Sequence, residues 1–342
     1  MKMTTIEDIA RKAGTSIATV SRVMNGLHRG KSAVKRRVLK AVKELNYRPH
    51  GIARRLATGT TASMSFVMES LIPIGTYGGD ILQGAEEEAR NQGYSLYYST
   101  SYSTLGALAH ELPSEVLNRS IDGMLYVGEI HPELFEEIKK FRILLVLVNS
   151  YVPQENVECV MCDNLPSAYR AVKYLIDLGH RRIACIACGS GNVPSIEERI
   201  LGYRQALFDA GIPLDEDLFC RQPGFSPPEG SEAMKQFLER PDPPTAVFGT
   251  VDEVAIGAMK YAKDIGRMVP EDISFVGVND LDLTQLSDPP LTTVRIFRRE
   301  MGRTAVRKLI ELMRNPGKLP TRTDVLCEFV ERASCARPRK ER

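Results

Sequence analysis

The sequence predicts a small all-helical head followed by a much larger α/β body built on parallel sheets. Three observations predict it. Apolar residues recur at helical spacing through the first 45 residues, strand-like apolar runs alternate with amphipathic helices through the rest, and the two parts differ in charge. Residues 1–62 carry fourteen Lys/Arg against only Glu7, Asp8 and Glu44, a net +11, which leaves the remainder at −9. A compact basic head on an acidic body is the electrostatic footprint of a phosphate-rich partner, although charge alone confers no sequence preference. The length of 342 residues, with 43% hydrophobic and 26% charged content, fits two or three ordinary globular domains.

In the head, Thr5 followed by Glu7 and Asp8 marks a helix start, with a capping hydroxyl and acids at the positive end of the dipole. Ile6, Ile9, Ala10 and Ala13 form its apolar stripe, and Gly14 breaks it. Ser16 caps a second helix from Ile17 through Met24 to Asn25-Gly26. Two short helices joined by a tight glycine-containing turn make a helix-turn-helix, whose second helix enters the major groove of DNA. Val20, Val23 and Met24 belong to its small core, which leaves Ile17, Ala18, Thr19, Ser21 and Arg22 for DNA. Arg22 suits a bidentate contact to guanine, whereas Ile17 and Ala18 suit thymine methyls. A third helix, Ala33 to Leu45, buries Val34, Val38, Ala41, Val42 and Leu45 and turns Lys31, Lys35, Arg36, Lys40 and Lys43 toward phosphates. After Pro49, the stretch His50–Ala57 holds about two turns of helix, far below the ~12–15 residues at which an isolated helix is stable in water.

These residues closely resemble the lactose/galactose-repressor (LacI/GalR) family. The resemblance rests on Ile6-Glu7-Asp8-Ile9-Ala10, on Gly14-Thr15-Ser16 with Ala18-Thr19-Val20-Ser21-Arg22-Val23-Met24-Asn25-Gly26, on Tyr47-Arg48-Pro49 and on Ala53-Arg54-Arg55-Leu56. It implies that Thr5, Ser16, Asn25, Tyr47, Ala53 and Arg54 join the DNA-facing set. It also implies that the short segment folds as a hinge helix on DNA, with Leu56 from each of two subunits wedged into the central base step in the minor groove. Gly30-Lys31-Ser32 departs from the family's usual Val-Ser at the start of the third helix.

In the body, strands are expected at Met64–Met68, Tyr94–Tyr98, Gly123–Val127, Leu144–Val148, Val157–Cys162, Ile183–Cys188, Ala246–Gly249 and Ser274–Val278. Amphipathic helices include Asp80–Gln92, Pro166–Leu178, Ile196–Ala210, Glu253–Gly266 and Glu300–Arg314. Asp252 reads as the cap of the helix after it, and His180 as a helix terminator. The resemblance continues through Asp163-Asn164, Leu178-Gly179-His180-Arg181-Arg182, Gly202-Tyr203-Arg204, Val269-Pro270-Glu271-Asp272 and Asp288-Pro289-Pro290-Leu291-Thr292-Thr293. It implies a periplasmic-binding-protein-like core of two doubly wound lobes with a ligand cleft between them. The domains are then a helix-turn-helix over 1–48, a hinge over 49–61 and an effector-binding core over 62–342. The first lobe takes about 62–162 and 292–322 and the second about 163–291 and 323–336, with crossovers near Cys162, Thr292 and Arg322. By the same resemblance Tyr77, Asp163, Arg199, Phe225, Val251 and Asn279 line the cleft, although Asp163 reads first as an anchor of crossover backbone and Phe225 also suits plain core. The family's sugar binders place Asn at the position of Val251 and Asp at that of Asn279, which leaves a hexose with fewer polar partners here. The effector expected is a sugar or sugar derivative, and its sense, inducer or corepressor, stays open.

Several other classes fit poorly. Cys159-x-x-Cys162 and Cys185-x-x-Cys188 imitate zinc spacing, but each pair lies in a strand, where residues three apart point to opposite faces. They read as reduced thiols, with no metal and no cofactor. There is no phosphate-binding glycine loop, no Gly-x-Ser-x-Gly elbow and no Cys/His pair to suggest an enzyme. No apolar run reaches the ~18–20 residues of a membrane span, and Met1–Asp8 lacks the core of a signal peptide, so a cytoplasmic protein without membrane partners is expected. A transport-type binding protein shares the body's fold but not the basic head, and a ligand-independent DNA-binding protein is the other alternative, told apart by an affinity that no ligand changes. The partners expected are therefore double-stranded operator DNA, a small-molecule effector and a second copy in a homodimer. The charged C-terminus shows no heptads for a tetramer.

Overall fold

The structure, a computed structural model, describes residues 4–24, 33–45, 60–69, 77–101, 112–189 and 193–339. Inter-residue contacts divide the chain into two compact units, Met1–Ser63 with Ser120–Asp122, and Met64–Arg119 with Gly123–Arg342.

The head folds as its sequence dictates. Helix α1 (Ile6–Ala13) begins in a capping box: the Thr5 hydroxyl accepts from the Asp8 amide at 3.3 Å, and the Asp8 carboxylate accepts from the Thr5 amide at 2.9 Å. Gly14 ends it at φ 62°, a left-handed cap that costs glycine little. Helix α2 (Ile17–Met24) starts where the Ser16 hydroxyl accepts from the Thr19 amide at 3.2 Å. Helix α3 (Ala33–Glu44) closes the bundle. Ile9, Ala10, Ala13, Val20, Val23, Val38 and Ala41 form its core, with Val34, Val42 and Leu45 half-buried at the edge.

The body contains two six-stranded sheets. The first comprises β1 (Ser63–Glu69), β2 (Ser95–Ser101), β3 (Gly123–Val127), β4 (Leu144–Val148), β5 (Glu158–Cys162) and β11 (Arg322–Val325), in the order β11-β5-β4-β3-β1-β2. The second comprises β6 (Ile183–Cys188), β7 (Phe219–Gln222), β8 (Ala246–Gly249), β9 (Ser274–Asn279), β10 (Thr292–Arg295) and β12 (Glu328–Val330), in the order β12-β10-β9-β8-β6-β7. The two orders are one pattern used twice, a doubly wound sheet whose strand order reverses beside its first strand. The β3, β4, β5, β8 and β9 pairings are parallel, while β12 runs antiparallel to β10.

Sheet membership moves two of the expected crossovers. β10 pairs in parallel with β9, Thr292 opposite Val276, so the chain leaves the second sheet after Arg295 rather than near Thr292. β11 pairs with β5 up to Val325 opposite Cys162, so the last crossover follows Val325 rather than Arg322. These strands, together with β7 and β12, were not expected from the sequence because each has only three or four residues and, β10 apart, lies in part exposed, so no apolar run announces it.

Helices flank the sheets: α4 (Gly79–Asn91), α5 (Pro132–Phe141), α6 (Asn164–Asp177), α7 (Pro194–Asp209), α8 (Pro227–Leu238), α9 (Asp252–Asp264) and α10 (Arg298–Arg314). α4 and α10 cross at glycine: a Cβ added to Gly302 would lie 2.1 Å from the Ile81 carbonyl oxygen. Above this crossing Arg299 and Arg303 pair with Glu87, and Arg307 with Glu88. Strand alternation places Cys185 and Cys188 in two different hydrophobic clusters, the opposite-face arrangement expected of that pair.

Two polar residues of the second lobe do more than the sequence suggests. Asp252 is not the cap of α9, a place taken by Val251. Its fully buried carboxylate accepts from the Leu281 amide at 2.9 Å and from the Thr293 hydroxyl, pinning β9, β10 and α9 together. Burial pushes this carboxyl up to about 7. His180 is likewise buried, with Nδ1 bonded to Thr245 Oγ1 and Nε2 to Ser274 Oγ and the Ala336 carbonyl, so it fastens the C-terminal segment rather than merely ending a helix.

Candidate functional site

The head turns one face of α2 outward, the face expected to read DNA. Ile17 is 46% exposed, Ala18 and Arg22 are exposed, and Thr19 and Ser21 are half-buried, while Val20 and Val23 turn inward. Ser16 is exposed and shares a 3.0 Å hydrogen bond with Thr19 Oγ1, which fixes the first turn; Thr5 caps α1. On α3, Arg36, Lys40 and Lys43 are exposed and Lys35 half-buried. Glu44 draws Lys12 to 2.8 Å and Lys40 to 3.8 Å, so part of the basic surface is already paired. These pairs are exposed and cost little to exchange for phosphate. Asn25, Lys31, Tyr47, Ala53, Arg54 and Leu56 lie outside the described residues.

In the body, polar groups gather where the carboxyl ends of the two sheets approach each other. Among the described residues, three bridges span the lobes there. Arg298, held in its own lobe by Nε and Nη2 donated to Asp80 Oδ2 at 2.9 and 2.7 Å, donates Nη1 across to the Asn279 carbonyl. Asn149, directly after β4, donates to Ser195 Oγ at 3.4 Å. Arg322 on β11 forks onto the Glu198 carboxylate of α7 and lies 5.5 Å over the Tyr151 ring. From Glu198 the network runs inward: Asn164 donates to Glu198 at 3.2 Å, and Asn164 Oδ1 accepts from Arg199 Nε at 3.0 Å.

Buried polar atoms here with no hydrogen-bond partner among the described residues include Tyr77 Oη, Asn149 Oδ1, Glu253 Oε2 and Asn279 Oδ1. An unpaired buried polar group costs about 1–3 kcal/mol, and groups of them are reservoirs that a polar ligand can satisfy. Asn149 and Asn279 also hold positive φ angles of 57° and 128°, strain of the kind that fold-level packing sustains at binding sites. Burial raises the Tyr77 phenol above its usual range and raises the Glu253 carboxyl, with Arg199 and Arg298 opposing both shifts. The guanidinium of Arg298 sits 5.9 Å over the Tyr77 ring.

The residues expected to line the cleft divide into three groups. Tyr77 and Asn279 are at the junction with free polar atoms. Arg199 is there too, but only 2% exposed, with Nη1 already given to the Thr250 carbonyl at 2.6 Å, so it organises the wall more than it reaches outward. Val251 belongs to the apolar cluster of the second lobe and Phe225 packs half-buried at its edge. Asp163 is fully engaged elsewhere, accepting from the Cys327 amide at 2.6 Å and pairing with Arg170 at 3.1 Å, the crossover anchor its position suggests. Sequence reasoning missed Asn149, Glu253 and Arg298. The first could have been found, since it directly follows an apolar strand whose carboxyl end the fold aims at the cleft. Glu69, at the end of β1, was also passed over; burial and, after it, the charge of Glu129 lift its carboxyl to about 7.

A cavity of about 570 Å³ lies beside the Arg295–Arg298 crossover, lined by Asp80, Asp280, Arg295, Phe297, Arg298 and Arg303 among others. Its charges are mutually paired and it contains none of the orphan atoms, so the junction rather than this cavity has the chemistry of a ligand site.

Comparison with known proteins agrees with both halves. Residues 5–50 match the family of bacterial regulatory proteins described as lacI, and residues 172–335 match the periplasmic binding protein-like domain. The HTH-type transcriptional repressor CytR of Escherichia coli (strain K12) is 36% identical over 338 residues, 96% of either chain. The solved complex of the transcriptional regulator CelR with cellobiose is 30% identical and covers 97% of this chain and 99% of its own, with TM-score 0.74. The lac repressor dimer bound to operator and the anti-inducer ONPF shares the fold at TM-score 0.84, covering 98% of this chain and 100% of its own at 24% identity. No helix among the described residues is long and apolar enough to cross a membrane. With a repressor more than a third identical along nearly its whole length, this chain belongs to the lacI family of bacterial regulatory proteins and is a DNA-binding transcription regulator.

Proposed function

We propose that the protein is a cytoplasmic repressor that grips a near-palindromic operator as a homodimer, and that a sugar or sugar derivative bound between the lobes sets the grip. The observation that carries the effector reading is the set of buried polar atoms, Tyr77 Oη, Asn149 Oδ1, Glu253 Oε2 and Asn279 Oδ1 among them, left without partners toward the carboxyl ends of both sheets. A ligand with several hydroxyls satisfies such a set, and the relative solved with cellobiose supports that class. On the DNA side, Ile17, Ala18, Thr19, Ser21 and Arg22 read bases, Thr5, Ser16, Asn25 and Tyr47 hold the backbone, and Ala53, Arg54 and Leu56 act in the minor groove.

The switch follows from the connections between lobes. The chain crosses after Cys162, after Arg295 and after Val325, so the lobes can rotate only by bending these three segments together. A ligand satisfying Tyr77 and Asn279 at once favours one lobe angle over the other, and it shifts operator affinity by that differential alone. The lobe angle sets how the two hinge segments of a dimer align, and aligned hinges fold with Leu56 inserted.

A panel of mono- and disaccharides and their phosphates, screened by thermal shift on the full-length protein, tests the site. A stabilising ligand whose effect disappears in Asn279→Ala supports the reading. A ligand that stabilises wild type and Asn279→Ala equally would place binding elsewhere.

A further inference from the structure

The seven cysteines include one pair that the regulator's function does not use. Cys162 is the last residue of β5, at the first crossover between lobes, and Cys327 lies between β11 and β12, at the third. β11 runs parallel to β5 with Val325 opposite Cys162, which brings Cys327 to the residue after that strand end. The backbone of Cys327 is held on both sides, its amide given to Asp163 Oδ1 at 2.6 Å and its carbonyl accepting from Arg170 at 3.3 Å. Each thiol is the first influence on the acidity of the other, which sets them side by side at the two crossovers. Cys162 is fully buried and donates to Asn164 Oδ1 at 3.0 Å, while Cys327 is half-exposed beside Leu326, which is 72% exposed. Cys327 is therefore the member of the pair nearer the surface.

We propose that Cys162 and Cys327 form a reversible disulfide that ties the first and third crossovers together when the cell becomes oxidising. Disulfides of cytoplasmic proteins are mostly of this transient, sensing kind. Hydrogen peroxide is the two-electron oxidant. One sulfur attacks a peroxide oxygen, the O–O bond breaks, and hydroxide leaves a sulfenic acid behind. The other sulfur, as thiolate, attacks the sulfenic sulfur, forms the S–S bond and expels a second hydroxide. The two thiol protons neutralise the two hydroxides, so two thiols and one peroxide give one disulfide and two waters.

Within the pair, Cys162 is the sulfur set to attack. Cys327, and after it Arg199, hold the Cys162 thiol below its ordinary range while Cys327 is raised in return, and burial pushes Cys159 and Cys335 up to about 11 and Cys188 to about 12. Arg199 and Asn164 also connect the Cys162 thiol to the wall of the ligand cleft. Covalent closure at this point fixes two of the three segments that lobe rotation must bend.

The test treats full-length protein with hydrogen peroxide, blocks free thiols with iodoacetamide and maps the unreduced digest. The expected product is a peptide pair joining Cys162 to Cys327, lighter by two hydrogens and lost on adding dithiothreitol. It is also absent from Cys162→Ala and from Cys327→Ser, the second variant altering only a half-exposed site. Hydrogen exchange at amides 163–165 and 323–328 should slow by about tenfold in the oxidised protein. Alkylation of both thiols after peroxide, or a linkage among other cysteines, would overturn the bond. A mapped bond that leaves exchange at both crossovers unchanged would overturn its role as a tie.

Discussion

The head and the cleft present their candidate binding groups in opposite ways. On α2, the groups are exposed side chains of one eight-residue helix, and the polar atoms that have partners satisfy one another locally, as Ser16 does Thr19. In the body, Tyr77, Asn149, Glu253 and Asn279 come from segments separated by up to about two hundred residues and end as buried atoms without partners. An exposed face binds by exchanging water and small ions for a charged polymer, so it tolerates change residue by residue. A buried unsatisfied cluster depends on the whole fold holding it open, and a single change there disturbs stability and binding together.

The largest effect should come from the wall of the cleft. Arg199→Ala removes a buried guanidinium and leaves Asn164 Oδ1 and the Thr250 carbonyl without it, at about 2–5 kcal/mol of body stability. Calorimetry should show the loss, and effector response should vanish while salt-dependent binding to random DNA stays near wild type. Equal loss of random DNA binding would break the distinction between the two regions. Gly302→Ala is expected to cost about 1–3 kcal/mol, because its Cβ would press the Ile81 carbonyl across the α4–α10 crossing. An unchanged melting temperature would mean that this crossing is not as close as described.

Changes on the head should spare stability. Arg22→Ala is expected to weaken operator binding by about 1–3 kcal/mol and relax preference at one base pair, with the melting temperature unmoved. Uniform weakening on every sequence would make Arg22 a phosphate contact instead. The smallest effect concerns acidity. A carboxyl whose folded value is raised binds its proton more tightly when folded, so Glu69 contributes stability that is full below about 4.5 and is lost as pH climbs toward about 7. Glu69→Gln should therefore flatten part of the decline in melting temperature between pH 4.5 and 7, and an identical profile in the variant would remove Glu69 as a source. Asp252, also raised to about 7, supplies a further share that the variant retains.

The same contrast governs what the sequence disclosed. Capping by Thr5 and Ser16, the turn at Gly14 and the inward Val20 and Val23 are local, and each was readable from residues three or four apart. Strands with buried apolar runs such as Leu144–Val148 were equally plain. β10, β11 and β12 were not, because they are short and owe their pairing to distant strands, and two expected crossovers moved with them. Asp252 carries a helix-capping signal by position, yet the buried amide of Leu281 competes for its carboxylate and wins. Resemblance pointed to Tyr77 and Asn279, but only the folded chain shows that Asn149, Glu253 and Arg298 join them, and that Asp163 is already engaged with Cys327 and Arg170.

The central claim is sequence-specific DNA reading governed from the cleft, and selection of binding sites by the full-length protein from a random DNA pool, at near-physiological salt, tests it most directly. The account predicts enrichment of a near-palindrome with a flexible or CG central step, bound with an affinity that a ligand found by thermal shift changes in wild type and not in Asn279→Ala. Binding that enriches no sequence and simply decays as salt rises would contradict it.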